Sequence, residues 1–253
     1  GQRRGRDVTI RVSRQAHRSG TAAAEAPASR ARGPRAAHQL GNGCRRAIGR
    51  AILRGKDDAR KVFLERFTAV GESDRETLLP ALGRIGRPQA MAIVDGVIAA
   101  ENPARRGFGL KALTRWPDGT VATRLLDLHG KAADAAERDL LLAALIRIAP
   151  LPDNKLDDAQ KIELLGKAIA LCEKDEDRTG VLKRANTIRT VETFQFLLLY
   201  LDDPRFAEPA CQSVVELAHH QKLRDAHKDE FAKALDEIIA TTKNPELVER
   251  ATR

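Results

Sequence analysis

A chain of 253 residues, 42% hydrophobic and 31% charged, has material for one or two ordinary domains or for a repeat array without a central core. Its formal charge of +9 suggests a nucleic-acid or acidic-membrane partner, but the distribution removes that reading from most of the chain. Residues 1–54 hold thirteen Arg against only Asp7 and Glu25, a local +11, whereas the 31 basic and 33 acidic residues of 55–253 leave −2.

Taken in order, residues 1–54 form the first unit, rich in Arg, Ala, Gly and Ser with little apolar periodicity before Ile48. This composition predicts no fixed fold from residue 1 to about 45. Two readings stand: a basic arm that neutralises nucleic-acid phosphates, or a non-native tail, since it uses no Lys where the rest of the chain uses 13. From about Asp57 the pattern becomes helical. Periodicity predicts helices over 57–70, 74–86, 88–100, 104–116, 119–130, 135–149, 157–173, 176–187, 190–202, 206–220, 226–242 and from 245 onward. Asn102-Pro103, Asp203-Pro204 and Asn244-Pro245 place a turn former before a Pro suited to a helix start, and Ser73 with Glu76 has capping-box spacing. Pro80 and Pro209 fall inside predicted helices and are expected to kink or restart them.

One register recurs down the chain. With Arg75, Arg106, Arg138 and Arg178 at position zero, offsets of three and four carry Leu78-Leu79, Gly109-Leu110, Leu141-Leu142 and Val181-Leu182. Offsets of six and seven carry Ala81-Leu82, Ala112-Leu113, Ala144-Leu145 and Arg184-Ala185, and offset ten carries Ile85, Trp116, Ile148 and Ile188. These positions share one face of a 3.6-residue helix. A fifth copy starts at Ala207 without the Arg. Each such helix precedes a second amphipathic one, and paired helices at a period of 29 to 40 residues (75, 106, 138, 178, 207) predict an all-α fold, an α-α superhelix of about five helix pairs over 55–253.

The first helix of the pair resembles that of the HEAT-repeat, armadillo-type family, which commonly reads Arg-x-x-Ala-Ala-x-Ala-Leu-Gly-x-Ile-Gly; the nearest copy is Arg75 to Gly86, with Ala81-Leu82-Gly83-Arg84-Ile85-Gly86. The run Lys111 to Asp118 is further similar to HEAT regions of large planctomycete and verrucomicrobial multidomain proteins. The resemblance covers about 73–253. It implies a binding scaffold or spacer within a larger, bacterial, exported or periplasmic protein; the residues themselves leave compartment and partner open.

Candidate chemistry is sparse. His219, His220 and His227, with Glu216 one turn before His220, are the one local metal-like cluster, but two ligands on a helix face close no site, so no metal and no cofactor is assigned. Glu173, Asp175, Glu176 and Asp177 read as acids favoured at a helix start, and Lys183, Arg184 and Arg189 as a solvated basic face that could attract an anion. The recurrent Arg75, Arg106, Arg138 and Arg178 are expected to bond neighbouring repeats. Cys172 and Cys211 lie on apolar stripes and read as inert thiols, Cys44, Cys172 and Cys211 have no disulfide or zinc spacing, and Trp116 reads as a core filler. No catalytic or phosphate-loop motif and no membrane span is found, and any export signal is placed upstream of Gly1.

The expected function is a non-catalytic protein-interaction scaffold. The alternative is a nucleic-acid-binding enzyme of the HEAT-like alkylpurine DNA glycosylase type, which needs a basic groove, an acid and aromatics. Nucleic acid is an expected partner only of residues 1–54, if these are native. Because Phe231, Leu235, Ile238 and Ile239 serve the fifth repeat, helix 226–242 shows no clear polar capping face and the short helix from 245 supplies little cover, so the array is expected to continue past Arg253 and to expose apolar surface at that end.

Overall fold

A computed structural model describes residues 57–152 and 155–253. The expectations for residues 1–54 lie outside the described residues. The described chain is all-α, with thirteen α-helices, one short 3-10 turn and no strand. In order these are α1 (Asp57–Ala69), α2 (Glu72–Gly83), α3 (Pro88–Ile98), α4 (Pro103–Leu113), the 3-10 turn (Gly119–Val121), α5 (Ala122–Gly130), α6 (Ala135–Ile148) and α7 (Asp158–Leu171). Then follow α8 (Asp175–Ala185), α9 (Val191–Leu198), α10 (Ala207–Ala218), α11 (Gln221–Ala226), α12 (Lys228–Thr241) and α13 (Pro245–Thr252).

Side chains at the helix starts supply acceptors for the first, unbonded N–H groups. Asn102 Oδ1 accepts from the N–H of Ala104 and Arg105, and Asn244 Oδ1 does the same for Glu246 and Leu247, each with Pro at the first helical position. Asp157 and Gln160 form a reciprocal capping box on α7. Two expected starts shift. Helix α2 begins two residues early, with Gly71 at its cap, so Ser73 and Glu76 lie inside it. Asp203 builds a turn, its carbonyl accepting from Phe206 and Ala207 and its carboxylate from Arg205, and α10 begins only at Ala207. Pro80 and Pro209 interrupt neither helix: α2 runs on to Gly83, and Pro209 sits in the first turn of α10, where a missing N–H leaves no bond unmade. The short α11 carries no buried residue and gave no periodic signal.

The helices pack in sequence. α2 lies on α3 and α4, α6 on α5, α7 and α8, α8 on α7, α9 and α10, and α10 on α9, α12 and α13. The packing is that of an α-α superhelix: α2, α4, α6, α8 and α10 stack as the first helices of five pairs, with α3, α5, α7, α9 and α12 as the second. The apolar stripe forms the core. Leu79, Leu82 and Ile85, Leu110, Leu113 and Trp116, Leu141, Leu145 and Ile148, and Val181, Leu182, Ala185 and Ile188 are all buried. Trp116 is 2% exposed, and its Nε1–H donates to Thr120 Oγ1 at 3.2 Å, so it fills the place held by Ile in other repeats.

Two glycines of the Ala81–Gly86 run act by different means. A Cβ on Gly83 would stand 1.9 Å from the backbone oxygen of Ala112, so its absence sets how closely α2 approaches α4. Gly86 has φ +65 in the turn before α3, a conformation disfavoured for side chains, and lies against Pro117. At the C-terminal end the apolar surface expected to be exposed is partly covered: Leu235, Ile239 and Val248 are partly buried, and α13 buries Leu247 and Ala251. Among the described residues the exposed large hydrophobics are Val62 and Leu199.

Candidate functional site

Because the first helices of the pairs run parallel, their N-termini line one edge of the stack and their C-termini the other. The two edges differ in how their charges are used.

Along the N-terminal edge, charges are matched between successive repeats. Glu72 pairs with Arg105 at 2.8 Å, Arg106 forks onto both oxygens of Glu137 at 3.0 and 3.3 Å, and Lys174 meets Asp139 at 2.5 Å. Asp175 lies 3.7 Å from both Arg178 and Arg205, and Glu208 accepts from Thr242 and Asn244. The position-zero arginines belong to this ladder. Arg75 donates to the carbonyl of Thr68 at the end of α1, and Arg106 to that of Ile98 at the end of α3. Arg138 lies 3.9 Å from Glu173, and Arg178 faces the ring of Phe206 in the following repeat. The Arg106 guanidinium beside Glu137 holds its carboxyl below the usual range, with a further bond from Ala133 N–H and against the opposing effect of burial. The acids Glu173 and Asp175 are thus engaged by cations at the start of α8, which also favours their charge.

The C-terminal edge is basic and unmatched. Nine residues after position zero stand Arg84, Arg115 and Arg147, and in the next repeat Lys183, Arg184 and Arg189 crowd the same end. None of these six makes an ion pair with a carboxylate among the described residues. Arg147 Nη2 instead donates to the carbonyls of Thr114 and Trp116 at 3.0 and 2.6 Å, and Arg184 Nη2 to that of Arg147 at 3.3 Å. Thr187 donates to Pro150, and Ser213 to Leu182 at 2.8 Å, continuing the edge to α10. Burial, then repulsion from Arg184 and Arg115, lowers the proton affinity of Arg147, whose buried Nε–H has no acceptor among the described residues.

Between the ends of α6, α8 and α10 and the start of α7 this edge opens into a groove of about 820 Å³. Its apolar floor includes Leu151 and Ile188; Lys161, Lys183, Arg184 and Arg189 supply the cations, and Asp158, Glu216 and His220 complete the wall. Both acids are occupied, Asp158 by Lys161 and Glu216 by Arg250, each at 2.7 Å. Lys183 and Arg189 therefore face the groove with no carboxylate partner among the described residues. Burial, then Arg189, pushes the imidazolium of His220 down, with Glu216 opposing.

The structure disperses the histidine cluster. His219 is exposed, His220 faces the groove, His227 turns to Glu230 at 3.3 Å, and among the described residues no three metal-ligating side chains converge. Cys172 and Cys211 are buried, which pushes each thiol up to about 11. Lys183, Arg184 and Arg189, by contrast, are brought together as the sequence suggested. The contribution of Arg84, Arg115 and Arg147 went unread, although their common offset of nine was visible. No described helix is long and apolar enough to cross a membrane. No family model matches the chain, and no curated protein matches it.

Proposed function

We propose that this chain is a non-catalytic protein-interaction scaffold or spacer of the HEAT-repeat type, one section of a larger protein, that engages its partner along the basic C-terminal edge. The observation that carries this reading is the contrast between the edges. One is a ladder of ion pairs that serves stacking, and the other leaves six cations without carboxylate partners among the described residues. Such an edge suits an external anionic surface.

The same cations also suit phosphates, which is what favours the glycosylase-type alternative. A base-handling site further requires an accessible aromatic. Trp116 is buried with its N–H engaged, and Tyr200 is half-buried between Phe196 and Phe206, which supports the scaffold reading over the enzyme.

The test is site-specific photo-cross-linking in the native full-length protein. A benzoylphenylalanine at Arg115 or Lys183 is expected to give discrete protein adducts, and one at Lys243, away from that edge, none. No adduct from either edge position, or release of alkylated purines from DNA by the purified protein, would overturn the reading.

A further inference from the structure

We propose that the basic edge and its groove form a docking site for an extended acidic peptide segment of a protein partner, one that carries an acid at about every third residue and an apolar side chain for the groove. This rests on the scaffold reading above and names the ligand that it leaves open.

The argument is one of spacing and floor. Adjacent packed helices stand about 8–10 Å apart, so Arg84 and Arg115, from successive repeats, stand at about that interval, and Lys183 and Arg189, two repeats on, follow at about twice it, a multiple of the same step. An extended peptide rises about 3.3 Å per residue, which brings every third side chain to the same interval on the same approach. A nucleic-acid strand carries a charge on every nucleotide and leaves most of them unmatched. The carbonyl ends of α4, α6 and α8 also point toward this edge and oppose a dense run of phosphates. Arg147 and Arg184 offset part of that field by bonding the carbonyls directly, which leaves the exposed Arg84, Arg115, Lys183 and Arg189 for the ligand.

The groove adds the second element. Its floor at Leu151 and Ile188 is apolar, whereas Lys183 and Arg189 stand at its rim without acid partners among the described residues, so a peptide that anchors an aliphatic side chain there sets its neighbouring carboxylates against both cations. No exposed aromatic lines it for a base to stack on. Arg189 also bears on His220, which approaches the same space from the far wall.

The test uses three labelled probes on the full chain, read by fluorescence anisotropy over a salt series. One is a twelve-residue peptide with Glu at every third position, each followed by Leu; the second has the same composition with its Glu residues clustered at one end; the third is a dodecamer of thymidylate. The spaced peptide is expected to bind at least about tenfold tighter than either of the others and to weaken as salt rises. Arg115→Glu and Arg189→Glu should each weaken it about tenfold, whereas Lys243→Glu should not. All three residues are exposed, so the variants are expected to fold, which circular dichroism checks. Equal binding of the clustered peptide, tighter binding of the oligonucleotide, or indifference to both edge reversals would overturn the inference. If the spaced peptide fails while cross-links form at Arg115, the acidic-peptide assignment alone falls; if no cross-link forms at the edge, the scaffold reading falls whatever the peptide does.

Discussion

Replacing Gly83 by Ala should destabilise the stack even though Ala is the better helix former. On an exposed helix the change favours folding by about 1 kcal/mol. Here the added Cβ would lie 1.9 Å from the carbonyl oxygen of Ala112 and 2.7 Å from its carbonyl carbon, both backbone atoms that no rotamer change can move. Reaching an ordinary contact requires α2 and α4 to separate by more than about 1 Å, and a gap of that size forfeits a quarter to a half of the dispersion energy along the seam. That seam includes Leu79, Leu82, Leu110 and Leu113, all 1% exposed or less. Overpacking of this kind costs about 1–3 kcal/mol and more when backbone must shift, so a net loss of about 2 kcal/mol is expected after the propensity gain. Urea denaturation followed by circular dichroism measures it, with Gly96→Ala as the internal control. Gly96 lies within α3 with open space around its Cα, and there the same substitution should stabilise by about 0.4–1 kcal/mol. If Gly83→Ala were as stable as the parent, or both variants shifted in the same direction, the close-approach argument would fail.

Three further outcomes are expected. Trp116→Ala should cost about 3–5 kcal/mol, and because Trp116 is the sole Trp, the parent's fluorescence should be blue-shifted in the native state and red-shift on unfolding; a native spectrum typical of exposed indole would contradict its burial. Glu137 has a depressed folded pKa, so its contribution is complete above the ordinary carboxylate range and is lost as pH falls through the folded value; stability should decline below about pH 5. Arg106→Ala should cost about 1.5–3 kcal/mol near neutral pH and flatten that decline, as seen by thermal melts across pH. In a Cys44→Ser background, Cys172 and Cys211 should resist a disulfide reagent at pH 8 until the protein unfolds, since burial disfavours the thiolate of each; rapid native labelling would refute that placement.

The sequence by itself determined the helices and their pairing, because both depend on local period. The stripe at offsets 3, 4, 7 and 10 is fixed by helical geometry within one element, and it identified Trp116, Leu82 and Ile148 as core without knowledge of their neighbours. It misjudged ends and short elements, where local pattern is thin: α11 buries nothing, α10 waits for the Asp203 turn, and α13 contributes enough cover that Leu235 and Ile239 are not laid bare. The division of charge was decided only by tertiary structure. A total of −2 over 55–253 gives no hint that Arg106 meets Glu137 31 residues away while Arg115 pairs with no acid among the described residues. Which charges cancel depends on the parallel stacking of the first helices, which gathers their N-termini on one edge and their C-termini on the other. The same stacking explains Gly83: its place in the repeat is written in the sequence, but the carbonyl of Ala112 that forbids a side chain there comes from the next repeat.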